Sequence, residues 1–425
     1  MKKSVAIIGT GISGLTAAYK LNRFCDVSVF EKSDRIGGHT ATVDFDLDGM
    51  SYSIDTGFIV FNDWTYPHFI RLLEEIGVQA QPTSMGFSVS CAESGLEYAG
   101  NDLNALFAQR SNLFSPRFLG MLKDIIRFNY SAERDLLNKT IPENMTLGHY
   151  LDEKGYGETF ARYYLVPMGA AIWSASLANI RSFPIRFFIT FFRNHGLLNI
   201  FNRPQWHVIK GGSKQYLGPL TETFSDRIET HVNIKTIIRN DNGVVLVFED
   251  GEERMFDEVV LATHSDQALR LLADPTNEEQ EILSAIPYEE NSVILHYDES
   301  LLPTSKRTWS SWSYRMTGDA DEEKLPIVTY DMNILQGLGA EAEGKTFCVS
   351  LNADDYIDPD KVIGRYSYAH PQFTEASTKA QSRWAEINGQ RNTWYCGAYW
   401  ANGFHEDGVV SALRVAERFC ASINR

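Results

Sequence analysis

The chain has 425 residues, more than one simple core accommodates, and its 44% hydrophobic and 22% charged residues are those of an ordinary globular protein. A formal net charge of -16 repels phosphate backbones, which excludes nucleic acid as a natural partner and disfavours a purely electrostatic hold on anionic membranes. Five cysteines without a C-x-x-C pair predict a reducing compartment and no structural metal site.

No signal-peptide pattern and no run of about 18 apolar residues is found, so the cytoplasm is the expected location. Residues 4 to 8 form a short apolar run rich in β-branched side chains, which predicts a buried parallel strand. Gly9-Thr10-Gly11-Ile12-Ser13-Gly14 follows, then a helical pattern through Leu15, Ala18, Tyr19 and Leu21, and a second strand Val27-Ser28-Val29-Phe30 that ends at Glu31. Each part has a task in holding a dinucleotide. Gly9 permits the tight turn, Gly11 lets backbone approach a pyrophosphate, and Gly14 lets helix and strand pack closely. The helix start, with Ile12 and Ser13, offers free N–H groups to phosphate. Glu31 stands where a carboxylate accepts ribose hydroxyls.

Arg35-Ile36-Gly37-Gly38-His39 brings a second pair of glycines soon after the acid. Residues 63 to 203 are then helical in pattern, with Phe69, Leu72, Leu73 and Ile76 at helix spacing. Within them Phe183, Phe187, Phe188, Phe191, Phe192 and Phe201 crowd one stretch, with Arg181, Arg186, Arg193 and Arg203 among and beside them. This stretch predicts either a lipid tunnel wall or membrane-touching helix, or a core helix rimmed by arginines. Trp206 to Ser213 gives a strand and a glycine pair. Short strands are predicted over 227–232, 234–238 and 244–248, with a hairpin at Asp250-Gly251 and a strand over 259–263. No lysine occurs from residue 285 to 305. Trp309 to Tyr314 and Tyr330 are candidate pocket walls. The last motif runs from Tyr395 through Gly397-Ala398 to Phe404-His405-Glu406-Asp407-Gly408. A helix follows, with Val409, Leu413, Val415, Ala416 and Phe419 on its apolar stripe.

These segments together resemble the flavin amine oxidase superfamily, which includes protoporphyrinogen oxidases and phytoene desaturases. Asp55-Thr56-Gly57-Phe58, Met85-Gly86-Phe87, Val328-Thr329-Tyr330-Asp331 and Gly403 to Gly408 are similar to one bacterial branch of predicted NAD/FAD-binding oxidoreductases. That branch is itself similar to the N-terminal region of plant cyclopropane fatty acid synthases. The resemblance implies an α/β fold: a Rossmann-like FAD-binding domain (1–62 with 204–272 and 390–425) and a discontinuous α+β substrate domain (63–203 with 273–389). It implies FAD contacts at Gly9, Gly11, Ile12, Ser13, Gly14, Glu31, Lys32, Gly37, Gly38, His39, Thr56, Gly57, Val232, Gly397, Asp407, Gly408 and Val409. Gly397 is followed by Ala398 where an acid is common, so Asp407 is the expected helix cap and ribityl partner. His405 is the candidate acid or base, because histidine titrates near neutrality.

The expected activity is oxidation or desaturation of an apolar, lipid acyl substrate by hydride transfer to flavin N5, with possible peripheral contact with a membrane. A flavin amine oxidase, and a non-catalytic flavoprotein that supports a lipid-modifying enzyme, are the alternatives.

Overall fold

The structure is a computed structural model and describes residues 2–317 and 324–423. Its first strand, Ser4–Ile8, is buried from Val5 onward and lies between two parallel neighbours, Asp26–Phe30 and Glu258–Leu261. Ile228–Glu229 and Thr393–Tyr395 complete a five-stranded parallel sheet at its two edges. Covered on both faces, such strands need apolar residues at successive positions, as Val5-Ala6-Ile7-Ile8 provides.

The helix Ile12–Leu21 leaves the first strand through the glycine turn and packs against the C-terminal helix His405–Ile423. Two glycines are required here. Gly9 has φ +100°, and a Cβ on Gly14 would stand 1.9 Å from the Gly9 carbonyl oxygen. The strand expected over 227–232 is cut to Ile228–Glu229, because His231 turns the chain with φ +57°. An antiparallel sheet of Ile234–Asn240, Gly243–Phe248 and Glu253–Phe256 flanks the parallel one, with Phe248 and Phe256 edge-on to Phe30.

The second unit is a mixed seven-stranded sheet, in which Val362–Pro371, Tyr288–His296, Cys348–Leu351, Ile327–Asp331 and Trp312–Met316 run antiparallel in that order. Phe87–Cys91 adds in parallel, followed by Glu97–Ala99. A layer of helices packs beside this sheet, among them Pro116–Leu137, Val166–Trp173 and Ile185–Asn194.

The phenylalanine-rich stretch is the helix Ile185–Asn194. Phe188 and Phe192 are buried and stacked on each other at 4.2 Å, which is the core-helix arrangement. Its arginines are tied down locally: Arg186 Nε donates to the Ile141 carbonyl at 2.9 Å, and Arg193 pairs with Glu133 at 3.1 Å. Among the described residues no helix is long and apolar enough to cross a membrane.

Candidate active site

A cavity of about 1190 Å³ runs from the glycine turns at the edge of the parallel sheet to the seven-stranded sheet and its helices. At its nucleotide end it is lined by Gly9, Gly11, Ile12, Ser13, Glu31, Lys32, Gly38, His39 and Val232. The space above Gly11 is open, with nothing within 4 Å of where a Cβ would point. Gly38, at φ +57°, brings the second glycine turn against the first, so a Cβ there would lie 3.1 Å from the Gly11 Cα. Two backbone turns thus meet with no side chain between them, a cradle fit for a pyrophosphate.

Glu31 is fixed by donors that the motif alone did not single out. The Thr10 N–H donates to Oε2 at 3.0 Å and the Ser33 N–H to Oε1 at 2.9 Å, and both hydroxyls add bonds. Burial works to raise the carboxyl pKa, but the bonds from Ser33 and Thr10 outweigh it and hold it below its ordinary value. A charged carboxylate in the cavity lining suits a pair of ribose hydroxyls. Exchange of Glu31 for Gln removes a charged acceptor whose bonds are worth about 1.5–3 kcal/mol. We expect FAD affinity to fall about ten- to a hundredfold, read by titrating apoprotein with FAD; unchanged affinity would mean that Glu31 does not hold the ribose.

His39 lies deeper. Its Nε2 is buried and has no hydrogen-bond partner among the described residues. Burial, followed by the neighbouring His370 and His264, drives its pKa well below the ordinary histidine value. A neutral ring with an unmet polar atom in the cavity wall marks a place where a ligand completes the bonding. Thr56 and Gly57 also line the cavity, beside Tyr368, whose hydroxyl lies 3.2 Å from the Thr56 hydroxyl.

Other candidates stand elsewhere. Gly14 and Gly37 lie behind the wall, where the Gly37 N–H donates to the Thr10 carbonyl at 3.1 Å. Gly408 and Val409 pack in the contact between the two helices; a Cβ on Gly408 would come within 2.8 Å of Ile12 and Ser13 side-chain atoms. Asp407 points away from the large cavity and ties down its own loop, with Oδ2 accepting from the Phe404 N–H at 2.9 Å and the Asn402 N–H at 3.2 Å. It is a cap of the preceding turn, and Gly397 and Ala398 themselves face the cavity.

His405 sits in the wall at the helix start, flat against Phe58 at 3.6 Å. Its Nε2 is already engaged by the Thr40 and Tyr216 hydroxyls at 3.1 and 3.0 Å. Burial lowers its pKa to about 3, so the ring stays neutral at physiological pH in place of the titration near neutrality expected for it. Its geometry is that of an orienting residue.

The far end of the cavity is aromatic and apolar. Tyr98, Met168, Ile172, Trp173, Phe191, Leu197, Trp312, Tyr330 and Phe373 line it. Of the phenylalanine-rich helix, Phe191 is the residue that reaches this wall. Arg203 stands there as the one cation, since Lys32 and Arg270 belong with the nucleotide end, and the carboxylates in the lining are Glu31 and Glu249, also at that end. Among the described residues the lining holds no other lysine, arginine, aspartate or glutamate.

One residue that pattern reading passed over is His195. It lines both this cavity and a side cavity of about 370 Å³, whose wall also holds His68, Glu406 and Asp407. His195 Nδ1 lies 3.0 Å from the Phe191 carbonyl, which can only accept. The ring proton is therefore on Nδ1, and Nε2 carries the lone pair. The ring stacks on Phe191 at 3.8 Å. A histidine four residues after a cavity phenylalanine, at a helix end, is the signal that sequence could have offered.

The fold and the site define a flavoprotein oxidoreductase. The chain belongs to the family of flavin containing amine oxidoreductases, whose model matches residues 12–343. The cofactor of this family is FAD, and the two-glycine cradle with Glu31 fits it. Three solved structures share the fold. A fatty acid isomerase from P. acnes is 16% identical, with TM-score 0.68 over 98% of each chain. Cyclohexylamine oxidase from Brevibacterium oxydans is 16% identical, with TM-score 0.69 over 100% of each chain. A putrescine oxidase with putrescine bound is 14% identical, with TM-score 0.69 over 99% of each chain. No curated protein matches the chain.

Proposed function

We propose that this enzyme oxidises or desaturates the acyl chain of a lipid. The observation that carries the reading is the far end of the cavity, large and apolar, with no carboxylate in its wall among the described residues and Arg203 at its edge. An apolar chain gains about 0.8 kcal/mol for each buried CH₂, and a lipid carboxylate or phosphate finds its counter-charge on Arg203. The similar fatty acid isomerase is named for an acyl substrate, which adds support.

The residues that would hold FAD are Gly9 to Ser13 and Glu31 with Lys32 at the adenosine end, Gly38 with His39, Thr56 with Gly57, and Gly397 with Ala398. FAD held there would supply a two-electron acceptor for one hydrogen of the substrate as hydride. The second hydrogen must leave as a proton, and Nε2 of His195 is the free lone pair to take it. Burial holds the His195 pKa at about 4, and it holds that of Asp407, in the same side cavity, up at about 7. Glu406, in the same side cavity, has Oε1 2.7 Å from Nδ1 of the half-exposed His68.

A second reading rests on the cavity aromatics. Trp312 and Tyr330 lie nearly parallel at 6.2 Å, and ring faces attract cations, so an amine is the rival substrate. Anaerobic mixing of the FAD-loaded protein separates the two. We expect free oleate to bleach the flavin absorbance and cyclohexylamine to leave it unchanged, and we expect Phe191→Ala to retain FAD yet slow the bleaching. Bleaching by the amine alone would overturn the acyl reading.

A further inference from the structure

The longest helix of the second unit carries two opposed apolar faces. Pro116–Leu137 buries Phe118, Met121, Phe128 and Ala132 on one side. On the other, Leu119, Ile126, Tyr130 and Leu137 are exposed, Tyr130 at 77%. At 3.6 residues per turn these four fall within about 20° of a single line along the helix. The turn Arg110–Phe114 that leads into the helix adds two exposed apolar side chains, Leu113 and Phe114, the latter 85% exposed. Scattered apolar residues on a surface need no explanation, but a continuous stripe on a helix of 22 residues does.

Charge distinguishes what covers it. Lys123, Arg127 and Arg134 project along one flank of the stripe, Arg127 pairing as well with Asp124 at 3.2 Å and Arg134 with Asp135 at 3.2 Å. Between residues 110 and 137 there are five lysines and arginines against three acids, a net +2 in a chain whose total is -16. One of the three acids, Asp135, is buried and bound to Lys154 at 2.8 Å and to the Tyr150 hydroxyl. An apolar line beside a cationic flank is the composition of a helix that lies in the plane of a lipid surface, with side chains below the headgroups and cations among them. The acidity of the rest of the chain orients the molecule, because this segment can face anionic lipid where the remainder is repelled.

We infer that the exposed face of Pro116–Leu137, with Leu113 and Phe114, docks the protein on an anionic lipid bilayer. The choice of a lipid rests on the acyl reading above. The opposite face of the same helix reaches the cavity wall, for Phe118 meets Tyr98 edge-on at 5.6 Å and Tyr98 lines the cavity.

The test is co-sedimentation of the full FAD-loaded chain with phosphatidylglycerol–phosphatidylcholine vesicles. The parent is expected to bind, more weakly at high salt. Ile126→Asp with Tyr130→Asp should weaken binding about tenfold or more, and Lys123→Glu alone should lower it and reduce its salt dependence. All these positions are exposed, so FAD content and melting temperature should not change. Three results would each overturn the inference: a parent that stays in the supernatant, variants that bind as the parent does, or a parent dimer that the paired aspartates dissociate while no form binds vesicles. Oleate bleaching is scored separately. Vesicle binding without bleaching leaves the docking face standing and removes the acyl reading, and bleaching without vesicle binding does the reverse.

Discussion

His195→Asn is expected to slow reduction of the bound flavin by substrate about a hundredfold or more, the range of a lost general base, while FAD content stays at the parent level. The prediction turns on which nitrogen is lost. The Asn amide can still donate to the Phe191 carbonyl, which His195 Nδ1 meets at 3.0 Å, so the helix end keeps its bond. What disappears is the Nε2 lone pair in the wall of the cavity. His195→Phe is the complementary change, because it keeps the stack on Phe191 and loses both nitrogens. If the ring acts only by packing, Phe should be the milder variant. If it accepts a proton, both should be slow, and added imidazole should restore part of the rate to His195→Ala, with stronger bases restoring more. A parent-like rate in His195→Asn would remove His195 from the mechanism.

The parts of this site that were legible in the sequence are those where neighbours in the chain are also neighbours in space. Strand, glycine turn, helix, strand and acid form one continuous unit, so Gly9, Gly11, Gly14 and Glu31 could be given physical tasks before any fold was known. The donors to Glu31 were hidden only by degree. Thr10 lies inside the turn and Ser33 two residues beyond the acid, and both carry hydroxyls that polish the carboxylate's position. The C-terminal motif resisted, because the direction of a side chain in a loop depends on what packs behind it. Asp407 reads as a helix cap facing a ligand, yet its carboxylate turns back to the N–H groups of Asn402 and Phe404. His405 lies in the right motif, yet Thr40 and Tyr216 arrive from distant segments and claim its free nitrogen. His195 was missed for the converse reason. Its neighbours in sequence are unremarkable, and only the meeting of two cavities gives it a role.

The other large effect is expected far from the chemistry. Glu279→Ala should destabilise the protein by about 3–5 kcal/mol, measured by urea unfolding of the FAD-loaded form, because it takes the buried, bidentate partner from a buried cation and leaves it the part-exposed Asp274, whose Oδ1 lies 3.3 Å from Arg239 Nε. The side chains of Arg239 and Glu279 are 0% and 1% exposed. Two bonds join them, Nη1 to Oε1 at 2.5 Å and Nη2 to Oε2 at 2.9 Å. The Tyr395 hydroxyl donates to Oε1 at 2.6 Å and the Thr276 N–H to Oε2 at 2.8 Å. Burial opposes the charge on Glu279, but these bonds prevail and its pKa falls below the ordinary value. A depressed carboxyl pKa adds stability that is complete above the unfolded-state pKa and is lost as pH falls through the folded one, so the variant and the parent should converge in acid. The pair joins three pieces of chain: the strand Ile234–Asn240, the helix Asn277–Ser284 and the strand Thr393–Tyr395. The last of these runs straight into Gly397 and Ala398 in the cavity wall, so loosening it should also weaken FAD retention. Removing both charges discriminates between a buried ion and a packing defect. Arg239→Met with Glu279→Leu should recover much of the lost stability, since apolar groups of similar volume replace buried pairs at little net cost. A single variant that loses less than about 1 kcal/mol would mean that water reaches the guanidinium and that the pair does not anchor the C-terminal strand.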